Sequence, residues 1–181
     1  MHPFSQKVDW REQFIIPFGG LKLGKHQFDL KVEDSFFDHF EYGEIKSGSV
    51  NIHLDLEKQE RMLVLDFTIN GTVFFPCDRC GDPLGIDITG KERLIVKLGN
   101  EYLEESEEVQ IIPETDKSFD VSTFLYEVMH LLLPAKRVHT DNLKGESQCN
   151  PEVLKKLKEL SEQHSPDPRW EILGKLKNDS K

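Results

Sequence analysis

The chain has little positive charge: 23 Lys and Arg stand against 33 Asp and Glu, for a formal charge of −10 over 181 residues. Grip on a phosphate backbone comes largely from Lys and Arg neutralising phosphates, so a broad nucleic-acid footprint is disfavoured. Long apolar runs are also missing. No stretch approaches the ~18 apolar residues that span a bilayer, and the first ten residues lack the apolar core of a secretory signal, which makes a soluble, cytoplasmic protein with no membrane partner the expectation. Cysteine is scarce at three residues, an odd number that cannot pair off within one chain, so structural disulfides are not expected. Gly19-Gly20 lacks the further glycines, the Lys and the helix start of a phosphate-cradling loop. The histidines, at 2, 26, 39, 53, 130, 139 and 164, are scattered, and no Ser-His-Asp or paired-carboxylate arrangement assembles around them. Neither an enzyme nor a small-molecule substrate is indicated, and the expected activity is binding.

What is present is alternation. Val50, Ile52, Leu54 and Leu56 recur at period two, as do Leu63, Leu65, Phe67 and Ile69, with the polar Glu57-Lys-Gln-Glu60 between them. Two such runs across a short polar connection predict an antiparallel hairpin. The second run continues past Gly71, read as a bulge or bend, to Val73 and Phe75. Before the hairpin, Gln13 to Phe18 reads as a short strand and Gln27 to Val32 as another. Asp34-Ser35 reads as the cap of a short helix bearing Phe36, Phe37 and Phe40. After it, Ile86 and Ile88, then Leu94, Val96 and Leu98, give one strand or two, and Val109 to Ile112 an edge strand closed by Pro113.

Helical spacing then takes over. Phe124, Leu125, Val128, Leu131 and Leu132 share a helix that starts at Asp120 or Ser122 and stops at Pro134. Pro151 opens an amphipathic helix with Val153, Leu154, Leu157 and Leu160. Ser165-Pro-Asp-Pro168 breaks it, and Trp170, Leu173 and Leu176 suggest a last short helix. Strands first and helices last predict an α+β fold, mainly an antiparallel sheet or small open barrel with helices toward the C-terminus. The expected organisation is a β-rich core domain over 1–134 with its closing helix, and a C-terminal helical segment over 135–181.

Two features carry chemistry. Cys77-Asp-Arg-Cys80, with Gly81 and Pro83 just beyond, reads as a tight turn between strands that aims both sulfurs at one point. Two thiolates at this spacing supply half of a tetrahedral zinc site, and His139 and Cys149 are the natural remaining ligands. Three readings stay open: one structural zinc, a reduced and unligated pair with no cofactor, or thiol redox chemistry. Redox is disfavoured because low-pKa thiols usually sit at a helix start, whereas this pair lies between strands. The second feature is an acidic stretch, in which Glu101, Glu104, Glu105, Glu107, Glu108, Glu114, Asp116 and Asp120 face only Lys117. It is either a solvated loop or a surface that attracts basic proteins.

From Cys77-Asp-Arg-Cys80 onward the chain resembles the YceD family. The resemblance runs through Phe119-Asp-Val121 into the helix ending Leu131-Leu-Leu-Pro134 and returns at Asp167-Pro-Arg-Trp170 with Leu173 and Leu176. Many relatives carry a cysteine-rich knuckle after the proline, where this chain has His139 to Cys149. The resemblance implies a part in accumulation of large-subunit ribosomal RNA and no catalytic activity. It places binding on Cys77, Asp78, Arg79 and Cys80 and on Asp167, Pro168, Arg169 and Trp170, toward a ribosomal protein or pre-ribosomal particle. Ribosomal RNA itself is the second candidate, through a local basic patch of Lys136 and Arg137 with Lys155, Lys156 and Lys158. A small zinc-binding or thiol-redox protein is the alternative from another class.

Overall fold

A computed structural model describes residues 10–40 and 43–162. They divide into two compact units, one within Met1–Pro76 and Pro83–Arg137, the other formed by Cys77–Asp82 with residues within Val138–Lys181.

The first unit opens with a 3-10 turn, Trp10–Phe14, followed by β1 (Ile15–Ile16), β2 (Gly24–Val32) and α1 (Asp34–Phe37). Then come β3 (Ser47–Lys58), β4 (Met62–Pro76), β5 (Pro83–Gly99), β6 (Leu103–Ser106), β7 (Val109–Pro113), β8 (Phe119–Asp120) and α2 (Ser122–Leu131). The main sheet is open and six-stranded, in the order β2-β3-β4-β5-β7-β6, and β1 pairs with β8 separately. Every pairing is antiparallel except β5 with β7. With the second unit's helix, this is an α+β fold with helices toward the C-terminus.

The predicted hairpin forms in the register its pattern requires. Ile52 pairs with Ile69, Leu54 with Phe67 and Leu56 with Leu65, which puts all six on one face, each at most 1% exposed. A one-residue slip would turn both apolar rows to solvent, so burial fixes the pairing. Leu125, Val128 and Met129 of α2 join that face in one buried cluster. The opposite face is polar: Arg93 donates to Asp66 at 2.6 Å, and His53 Nδ1 lies 2.7 Å from Asp29 Oδ1.

Several expectations are corrected. Gly71 marks no bulge, because the ladder runs without a shift through Val50↔Gly71 and Gly71↔Ile88. A Cβ there would lie 2.3 Å from the Ser49 carbonyl oxygen, so close approach of backbones is what requires glycine. Of the one strand or two expected from Ile86 to Leu98, the chain forms one, β5, since edge-on pairing with β4 carries it across the polar Thr89–Glu92 interval. β7 is not an edge strand. The chain leaves β5, skips a place to form β6 at the sheet margin, and turns back so that β7 fills the gap. Asp34 does not cap α1: Glu33 holds the cap position, and the Asp34 carboxylate accepts the Gly48 N–H at 2.9 Å. The segment from Gln13 is a 3-10 turn before it becomes β1. Leu131 is 76% exposed, although its spacing placed it with the core side chains of α2.

The second unit holds the turn Cys77–Asp82, the loop from Val138 to Asn150 and α3 (Pro151–Glu162). Helix α3 starts at Pro151 as expected. Its apolar stripe stays largely in solvent, with Val153 and Leu154 half-buried and Leu157 and Leu160 exposed. Asp167 to Trp170, Leu173 and Leu176 lie outside the described residues. No helix among the described residues is long and apolar enough to cross a membrane.

Candidate metal centre

The turn that follows β4 is closed by two backbone hydrogen bonds, Cys77 N–H to the Asp82 carbonyl and Gly81 N–H to the Cys77 carbonyl, both 2.9 Å. Gly81 takes φ of +77°, a conformation that side chains disfavour, and this lets the chain reverse directly after Cys80. Both sulfurs are drawn inward, with Cys77 3% and Cys80 9% exposed, while Asp78 and Arg79 between them face solvent.

The other half comes from a folded loop. Asn142 Oδ1 accepts the N–H groups of Lys144 and Glu146, each at 2.9 Å, and Gly145 at φ +78° completes the reversal. Asp141 bridges antiparallel to Ser147, so His139 and Cys149 at the two ends of the loop come together. Ser147 ties the parts: its hydroxyl accepts the Cys149 N–H at 3.3 Å and lies 3.4 Å from Arg79 Nη1. Asn150 caps α3 by accepting the Glu152 N–H at 3.0 Å and also donates to Asp82 at 3.3 Å. Sequence reasoning missed Ser147, Asn142 and Asn150, although Asn150 directly before Pro151 carries the signature of a helix start.

Cys77, Cys80, His139 and Cys149 thus converge, with their ligating atoms all within 4.8 Å of one another. The Cys77 and Cys149 sulfurs are 3.9 Å apart, and His139 Nδ1 lies 3.5 Å from Cys80 and 3.8 Å from Cys149. A tetrahedral zinc, with Zn–S of about 2.3 Å and Zn–N of about 2.0–2.1 Å, sets edges of about 3.8 Å between sulfurs and about 3.6 Å between sulfur and nitrogen. The donor set and its spacing fit such an ion.

The electrostatics favour thiolate. Burial pushes the Cys77 thiol up, but the backbone N–H groups of Cys80, Arg79 and His139 aimed at its sulfur reverse this and bring it down to about 6. Cys149 is also lowered: burial raises it, and the Ser147 hydroxyl and His139 outweigh that. Cys80 moves the other way. The Asn150 N–H lowers it, but burial and the neighbouring Cys77 and Cys149 sulfurs prevail. Two of the sulfurs are thus biased toward thiolate and the third toward thiol, and a cation among them would favour the charged form of all three. The absence of a helix start held true of the Cys77–Cys80 pair alone, for Cys149 directly precedes the cap of α3.

The remaining predicted features are dispersed. Arg137 lies 4.7 Å over the Phe75 ring and pairs with Glu44 at 2.5 Å, which withdraws it from the basic patch. The acidic stretch is distributed over β6, β8 and the connecting segments before and after β7. Glu105 pairs with Lys97, Glu114 with Arg61 and Asp116 with Tyr102, and Asp120 accepts the Ser122 N–H. The depressions lined by Gln59, Arg61 and Lys97 and by Asp34, Ser47 and Phe74 hold neither a histidine nor a cysteine.

These observations define a class: an α+β protein whose open sheet is joined to a small second unit built around a Cys3His donor set suited to a structural metal. The chain belongs to the family described as large ribosomal RNA subunit accumulation protein YceD, which matches residues 65–177. The family description ties its members to accumulation of large-subunit ribosomal RNA, and the role of this chain lies in that process. No curated protein and no solved structure matches the chain.

Proposed function

We propose that the chain is a non-catalytic factor of large-subunit biogenesis, acting in the cytoplasm by binding a ribosomal protein or precursor particle through a zinc-organised second unit. The observation that carries this reading is the convergence of Cys77, Cys80, His139 and Cys149, within a chain whose family is tied to ribosomal RNA accumulation. A zinc held by these four residues, with no position left for water, has a structural role: it closes the loop from Val138 to Asn150 and holds Asp78 and Arg79 outward as recognition residues. Asp167 to Trp170 join the proposed binding residues on the strength of the family match, which spans them. Thiol redox chemistry is less well supported, because Cys77 and Cys149 are each 3% exposed and the nitrogen of His139 completes a ligand set. Direct binding of ribosomal RNA is weakened by the net charge and by the engagement of Arg137.

Depletion of the protein in growing cells, followed by quantification of large-subunit ribosomal RNA and by gradient sedimentation, tests the reading. It predicts a selective fall in that RNA and migration of the protein with large-subunit precursors. Normal ribosomal RNA, with the protein confined to the top of the gradient, would remove it.

A further inference from the structure

Helix α2 has one side that the core covers at its start and leaves open at its end. Phe124, Glu127, Val128 and Leu131 follow i, i+3, i+4, i+7 spacing, so they line one side of the helix. Phe124 and Val128 are nearly buried, yet Leu131 at the end of the row is 76% exposed. This side of α2 and the acidic β6 with its following turn border a groove of about 460 Å³, lined by Phe124, Val128 and Leu131 with Glu104, Glu107 and Glu127. All three glutamates face solvent. Whereas Glu105 is neutralised by Lys97, none of the three has an ion-pair partner among the described residues.

An apolar floor rimmed by unneutralised carboxylates selects one kind of occupant. Lys and Arg lay aliphatic stems along apolar surface while their charged heads reach outward, so the stems match Val128 and Leu131 and the heads match the glutamates. Phosphate would be repelled at the same place. β6 adds a further element: it is the margin of the sheet, exposed over Leu103–Ser106, and an extended peptide beside it meets backbone as well as side chains.

We propose that this groove docks a basic, extended peptide segment in which Arg or Lys alternates with aliphatic side chains. The inference deepens the function proposed above and rests on it for its biological partner, but it assigns a surface other than the metal centre.

The test uses the full chain and a short fluorescein-labelled peptide alternating Arg and Leu, with a control in which citrulline replaces every Arg. The expected result is salt-sensitive binding of the Arg peptide, weakened roughly tenfold or more by E104K/E107K/E127K and by Leu131→Ser alone, and little binding of the citrulline peptide. Circular dichroism identifies variants that remain folded, and Glu127→Gln replaces the triple variant if that one does not. The groove assignment is overturned if wild-type protein ignores the Arg peptide, if the citrulline peptide binds equally well, or if folded variants bind like wild type. It is also overturned if ribosomal RNA fragments bind wild-type protein and lose affinity in these same variants, or if the variants merely dissociate a dimer of this chain. Sedimentation with precursor particles is scored separately. Wild-type protein that sediments with particles but ignores the peptide sinks the groove alone, and wild-type protein that binds the peptide but stays at the top of the gradient sinks only the ribosomal reading.

Discussion

At the scale of single residues, the candidate metal centre was largely legible, because structural zinc sites are built mostly from Cys and His and this chain has little cysteine to distribute. The C-x-x-C spacing located one half, and Cys149 and His139 were the candidates left for the other. The supports were not legible: Ser147, Asn142 and Asn150 act through hydrogen bonds to backbone, and such residues are common in any loop. Two predictions belong here. Cys149→Ser should lower zinc affinity by more than the roughly 10–100-fold that loss of a supporting hydrogen bond costs, as metal analysis after competition with a chromogenic chelator reads directly. His53 reports on a simpler pair. Its hydrogen bond to Asp29, assisted by the charges of Asp29 and Asp55, outweighs desolvation and raises its pKa above 6.5. The stabilisation from this pair is complete below the unfolded value of 6.5 and is lost as pH rises through the higher folded value. NMR titration of the imidazole should show a midpoint above 6.5 that falls on Asp29→Asn.

At the scale of elements, period-two patterning recovered β3 and β4 because each has one dry face and one wet face. It failed for β6, whose four residues are all exposed and therefore carry no alternation to detect. It split β5 into uncertain parts, since the polar Thr89–Glu92 interval is held in the ladder by pairing to Asn70–Phe67 rather than by burial. Leu131 exposes the limit of helical spacing, which places a side chain on a face without saying what covers that face. Gly71 offers a direct test of the strand geometry. Gly71→Ala sets a methyl against the backbone of Ser49 and Val50, which cannot rotate away as a side chain would. The expected loss of stability is at or above the upper end of the roughly 1–3 kcal/mol that overpacking costs, measured by urea unfolding.

At the scale of the whole molecule, sequence pattern gave the α+β class but not the strand order, because the passage from β5 to β6 and back to β7 depends on which edges are free after the long hairpin has formed. The two units draw on different sources of stability. The sheet unit has its own apolar cluster, from Phe14 to Met129, whereas among the described residues α3 contributes no buried residue and the second unit's buried side chains are its cysteines. A metal bound by the four clustered residues would contribute folding free energy to that unit. Chelation should therefore abolish hydrogen-exchange protection over Val138 to Glu162 and leave β3, β4 and β5 protected. Equal loss in both regions would show that the sheet depends on the metal too.

The central claim is that a metal-built unit recognises a ribosomal partner without turnover. Gradient sedimentation of Cys149→Ser against wild type, both expressed at native level and both retaining the folded sheet, tests it most directly. The account predicts wild-type protein in the large-subunit precursor fractions and the variant at the top of the gradient. A variant that has lost its zinc and still migrates with those precursors would contradict it.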